Sequence, residues 1–214
     1  MIIFLSRTVN STIATDSGVN PILVPIGMAV MLLGLKKHKL LRITPLTEKQ
    51  SIAPSRFKVH EGSTYLALEV EPTQTFFTFS EIVHHGHSGL CITRIIPETV
   101  QNAYNLEKTP IIWLINEEGE NTIHPRDIQG LFNTAKYFLQ NAEKGVIILH
   151  GLEYLVLVNG FEKVFTMIVD LKKIAAEKRA ILITMLVPGS LNDRDEAILK
   201  SQCKPIFDKE LPPL

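Results

Sequence analysis

Gly145-Val146-Ile147-Ile148-Leu149-His150-Gly151-Leu152-Glu153-Tyr154-Leu155, and after it Asn159 to Leu186 (NGFEKVFTMIVDLKKIAAEKRAILITML), is the part of the chain whose reading decides the fold. Gly145 to Leu149 carries no polar side chain and is rich in β-branched residues, which reads as a strand buried on both faces, in the middle of a parallel sheet. Phe161, Val164, Phe165, Ile168, Leu171 and Ile174 then recur at steps of three and four, the buried stripe of a helix. Asn159 is expected to cap that helix, with Glu162 closing a capping-box-like pair. Ala180 to Leu186 is a second apolar run. Strand, helix and strand in this order call for a crossover, and such crossovers are right-handed.

The same alternation extends in both directions. Leu90 to Ile96 and Ile111 to Ile115 read as further strands, and the series begins near Tyr65. After Pro125, which suits a first helical position, Ile128, Leu131, Phe132, Ala135, Phe138, Leu139 and Ala142 outline a helix that Gly145 ends. A shorter helix follows Pro97 through Val100, Ala103 and Tyr104, and another is expected around Phe76 to Val83. The reading is an α/β domain over residues 64–214, a three-layer sandwich with a mainly parallel sheet.

Upstream, the nineteen residues Ser17 to Leu35 carry no charge and end in Lys36, Lys37, His38, Lys39 and Arg42. About 17–25 residues of helix cross the hydrocarbon. Pro21 and Pro25 fall in the first turns, where a missing N–H breaks no hydrogen bond. Basic residues cluster after the span and only Arg7 precedes it, which places the carboxyl side in the cytoplasm. The expected organisation is an external segment (1–18) with a sequon at Asn10, a transmembrane helix (19–39), a linker (40–63) and a cytoplasmic domain. The protein is thus expected in the cell membrane, single-pass.

Composition narrows the function classes. Lysine plus arginine and aspartate plus glutamate number 22 each, so the formal charge is zero. No basic stripe is present, and nucleic acid is not an expected partner. Cys91 and Cys203 are far apart and form neither a disulfide framework nor a metal spacing.

Function in parallel sheets collects beyond the carboxyl ends of the strands. The residues there are Arg94, Asn116, His150, Gly151 and Glu153, with Pro188-Gly189-Ser190 after the last strand; the first five form a candidate interaction or anion site. Arg94 suits phosphate or carboxylate, or pairs structurally with Glu98 or Glu153. His84, His85 and His87 place three imidazoles in four residues, a candidate metal set. The reading preferred over a metal site is a polar helix end whose histidines face solvent and meet the negative terminus.

Gly89 to Pro97 (GLCITRIIP), Thr109 to Leu114 (TPIIWL), Ile123-His124-Pro125 and Gly145 to Leu155 with Asn159-Gly160-Phe161 together resemble the archaeal domain-of-unknown-function 835 family over about Tyr65 to Leu199. The resemblance implies a RecA/KaiC-like sheet related to the P-loop ATPases, often found after a transmembrane segment or beside sensory domains. Partners would then be the membrane and proteins of a signalling or membrane-associated assembly, with a homo-oligomer as a further option. In the resembling family the position before Gly-Leu-Glu-Tyr-Leu is usually aspartate; here it is His150.

A phosphate cradle needs Gly-x-x-x-x-Gly-Lys followed by serine or threonine, and no such string occurs. The expectation is a noncatalytic interaction or signalling module with no cofactor. The alternative is a nucleotide-binding protein or weak NTPase using Arg94, Gly86, Gly89 and Glu153.

Overall fold

A computed structural model describes residues 59–207. The expected external segment, its sequon, the membrane span and most of the linker lie outside the described residues. Among those described, no helix is long and apolar enough to cross a membrane.

The elements follow in chain order: β1 Thr64–Leu68, α1 Thr73–His84, β2 Ser88–Thr93, α2 Pro97–Tyr104, β3 Ile111–Leu114, β4 Thr122–Ile123, α3 Ile128–Asn141, β5 Gly145–Leu149, α4 Leu152–Asn159, α5 Phe161–Glu177, β6 Ile181–Leu186, α6 Asp193–Gln202 and β7 Lys204–Pro205. The seven strands form one sheet in the order β4-β3-β2-β5-β6-β1-β7, and every pair is parallel. The doubly apolar runs take the middle, with all five residues of β5 and all six of β6 buried.

Alternation along the strands builds two cores. Leu66, Leu90, Ile92, Ile147, Leu149 and Leu182 face the layer of α3, α4, α5 and α6. Tyr65, Ala67, Cys91, Val146, Ile148 and Ile183 face Phe76 and Phe79 of α1 and Val100 of α2. Two helices, a sheet and four helices make the expected three layers.

The chain runs leftward from β2 through β3 to β4 and rightward from β5 to β6, while β2 and β5 lie side by side. Neighbouring strands whose connections leave in opposite directions open a crevice at their carboxyl ends, so the fold itself marks the gap beyond Thr93 and Leu149.

Local structure differs from the sequence reading in several places. The helix after Pro125 starts at Ile128, because the Asp127 carboxylate accepts the Gly130 N–H at 2.8 Å and supplies the cap. Asn159 closes α4 and does not cap α5. Its side-chain amide donates to the carbonyls of Pro125 and Leu155, and Gly160 at φ 84° turns the chain into α5. The short helix α4 was not foreseen. The strands β4 and β7, two residues each, were not foreseen either.

Candidate functional site at the carboxyl edge of the sheet

The crevice between β2 and β5 is built by adjacent backbone. The His150 N–H donates to the Ile92 carbonyl at 2.9 Å, which continues the ladder one residue past β5. Thr93, the last residue of β2, is fully buried, and its hydroxyl oxygen accepts the Ile95 N–H at 3.0 Å. Its own proton is left to meet His150 Nδ1 at 2.9 Å, an arrangement satisfied by a neutral imidazole protonated on Nε2. The Phe76 ring lies edge-on to the imidazole, centroids 5.7 Å apart. Burial, with the Arg94 charge adding to it, lowers the His150 pKa to about 4. The imidazole is therefore neutral at physiological pH and offers a nitrogen, with no charged oxygen of its own, where an acid would serve magnesium.

Gly151 follows at φ 95°, in the left-handed region, and opens α4. A Cβ built there falls 2.8 Å from Arg94 Cγ, so the position demands both an unusual dihedral and the absence of a side chain. The close approach lets Arg94 cross above the turn. Its guanidinium carbon stands 3.6 Å from the centre of the Tyr154 ring, a stacked cation–π contact. The Arg94 carbonyl accepts Trp113 Nε1–H at 3.3 Å. Arg94 is exposed, and among the described residues it makes no ion pair. Structural pairing with Glu98 or Glu153 is therefore not what holds it; aromatic stacking is.

Arg94, His150, Gly151 and the first turn of α4 with Glu153 thus come together. Asn116 is exposed in the β3–β4 connection and shares no hydrogen bond with them. Gly189, at φ 73° after β6, donates its N–H weakly to Glu196 at 3.4 Å and belongs to the start of α6. Gly86 and Gly89 lie at the other end of β2 from Arg94. Five extended residues from Gly89 to Arg94 span about 17 Å, so the two glycines and Arg94 cannot share one phosphate.

The histidines of the α1 end diverge. His84 Nε2 meets the Asn105 carbonyl at 3.1 Å, and His85 Nδ1 turns back to the Glu81 carbonyl at 2.6 Å. The second contact is a last-turn helix carbonyl, the structural role weighed for these residues. Among the described residues no three histidines, cysteines or acids are placed to hold a metal ion.

The sequence reading missed Glu69. It follows β1, and its carboxylate accepts both the backbone N–H of Thr75 at 3.2 Å and the Thr75 hydroxyl at 2.9 Å. Thr75 is the third residue of α1, so an acid from the chain itself occupies the end of the helix where a phosphate would be seated. Burial raises the Glu69 pKa above the ordinary glutamate range, against the two bonds from Thr75. Its second oxygen is buried and has no partner among the described residues. Nearby, burial raises the Tyr104 hydroxyl pKa, Thr73 opposes the rise and the Glu69 charge adds to it. Tyr104 also stacks on Phe76 at 5.2 Å, which joins this corner to His150. The available signal was a strand-to-helix junction, Glu69-Val70-Glu71-Pro72-Thr73-Gln74-Thr75, with acids where a phosphate loop has glycines.

Among curated proteins, none matches this chain. A family model described as a protein of unknown function, DUF835, matches residues 69–203, which runs from just after β1 through α6 and includes every residue of the crevice. On that match the chain belongs to the DUF835 family.

Proposed function

We propose that this protein is a noncatalytic interaction or signalling module, an archaeal single-pass membrane protein whose cytoplasmic domain has a degenerate RecA/KaiC-like sheet. The observation that carries the reading is Glu69, because a carboxylate bonded to the third N–H of α1 fills the place a nucleotide phosphate would take and repels it. His150 adds to this by offering a neutral nitrogen where magnesium would want a charged oxygen. Val70 and Ile96, 76% and 52% exposed, follow β1 and β2 at the carboxyl edge of the sheet, and Ile96, two residues from Arg94, gives a partner protein apolar surface there. Partners of this kind include components of a membrane-associated assembly and a second copy of the chain.

A second reading, nucleotide binding at a non-standard site or weak NTPase activity, draws on Arg94, which is exposed, held by Tyr154 and free of any carboxylate among the described residues. Titration calorimetry with Mg-ATP separates the two. The expected result is no binding heat at millimolar nucleotide and no hydrolysis above background. Micromolar affinity that disappears in Arg94→Ala would establish the second reading in place of the first.

A further inference from the structure

The described helices cover the sheet unevenly. On one face α4 and α5 pack on β6 and α6 packs on β7, while on the other α1 packs on β2 and β5 and α2 on β3. β6, β1 and β7 continue the sheet past that point. Their residues on the α1 side, Tyr65, Ala67, Ile181, Ile183, Met185 and Ile206, are all buried. A parallel sheet has both faces covered, so a further element belongs over this half.

The helix α1 carries the mark of the same cover. Phe76 and Phe79 pack in the core of this face, and Thr78 and Glu81, each two residues further on, lie about half a turn round the helix from them. The helix α2 meets α1 elsewhere, through Tyr104 stacked on Phe76 and the Asn105 carbonyl against His84. Thr78 is buried all the same, and Glu81 is only 8% exposed. The Thr78 hydroxyl is satisfied by the Gln74 carbonyl at 2.9 Å, whereas the Glu81 carboxylate takes part in no ion pair among the described residues. A carboxylate so deeply buried calls for a cation.

The chain itself arrives at this place. Val59, the first described residue, packs against the α1-side core, as does Ile82 of α1, and the His60 N–H donates to the Tyr65 hydroxyl oxygen at 2.8 Å. Glu81 sits in the last turn of α1, at the amino edge where β1 begins. Before Val59 stand Ile52, Pro54, Arg56, Phe57 and Lys58. In an extended chain the two-residue period puts Phe57 on the side of Val59 and turns Arg56 the other way. We propose that residues 52–58 dock on this face as a strap beside α1, with Phe57 seated next to Val59 over β1 and β6 and Arg56 paired with Glu81. The planar guanidinium suits that carboxylate, because it gives two parallel hydrogen bonds. The end of the expected linker (40–63) thereby joins the α1 layer of the domain. The strap does not rest on the noncatalytic reading.

The test is hydrogen exchange of the full chain in detergent, followed at the peptide covering residues 52–58. That peptide should exchange at least about tenfold more slowly than the same sequence free in solution. Phe57→Ser should return it to the free rate, and so should Glu81→Arg. Adding Arg56→Glu to Glu81→Arg should restore the slow exchange, which separates loss of this pair from a general weakening of the fold. Free exchange in the parent chain, slow exchange unmoved by Phe57→Ser, or a double variant no slower than Glu81→Arg alone would overturn the proposal. Free exchange together with a concentration-dependent dimer would give the face to a second copy of the chain instead.

Discussion

His150 carries the largest consequence of any single residue at the crevice. Its ordinary pKa of 6.5 is lowered to about 4, first by burial and then by Arg94, so the folded state holds the ring neutral. Between those two values the unfolded chain binds a proton that the folded chain refuses. Stability is therefore full above about pH 6.5 and is lost as pH falls toward about 4, by up to roughly 3 kcal/mol for this group. Glu69 acts with the opposite sign: its raised pKa gives stability that fades as pH rises. The histidine contribution is isolated by comparison with His150→Asn, whose melting temperature should decline less steeply than the parent's between pH 7 and pH 4.5. Parallel slopes would show that the imidazole is not held neutral. His150 and Arg94 were legible in the sequence because both follow apolar runs. Glu69 was not read, since a carboxylate that caps a helix from six residues away matches no capping motif, and the acids at its strand-to-helix junction were the one signal it left.

At the scale of elements, the turn from β5 into α4 depends on Gly151. Its φ of 95° is poor for any side chain and worst for a β-branched one, and Arg94 Cγ occupies the space a Cβ would need. Gly151→Val should destabilise the folded domain by more than about 1 kcal/mol, read as a lower denaturation midpoint at unchanged slope. An unaltered midpoint would remove the glycine from the architecture of the crevice. The amphipathic helices α3 and α5 and the buried strands announced themselves by period, because each hides one stripe or both faces. The helix α4 did not. Its residues Leu152 to Val158 are apolar nearly throughout, yet Leu157 is 78% exposed, so no stripe separates a buried face from a wet one. Ends misled for a related reason: Pro125 and Asn159 are both fit for a helix start, but the local cap from Asp127 moves the first start to Ile128, and the tertiary bond from Asn159 to the Pro125 carbonyl takes the second residue out of the capping role.

For the whole molecule, the sequence carried the layers but not the order of strands. Which faces must be covered is a local property of each run, whereas the jumps from β1 across to β2 and from β4 across to β5 depend on how separate helices fill the two faces. Membrane attachment is a prediction at this same scale. Nineteen uncharged residues followed by a lysine-rich exit are enough apolar length to span a bilayer, and the basic side is expected to stay cytoplasmic with the α/β domain attached. A polybasic contact with anionic headgroups would also bring Lys36 to Arg42 to a membrane, but such a contact is screened within about 3 Å at 1 M salt. An inserted helix is indifferent to salt, because its free energy comes from apolar burial. The full chain should therefore remain in the membrane pellet after a 1 M salt wash and leave it only with detergent. Release by salt alone would reduce the attachment to electrostatics and remove the tether from the proposed function.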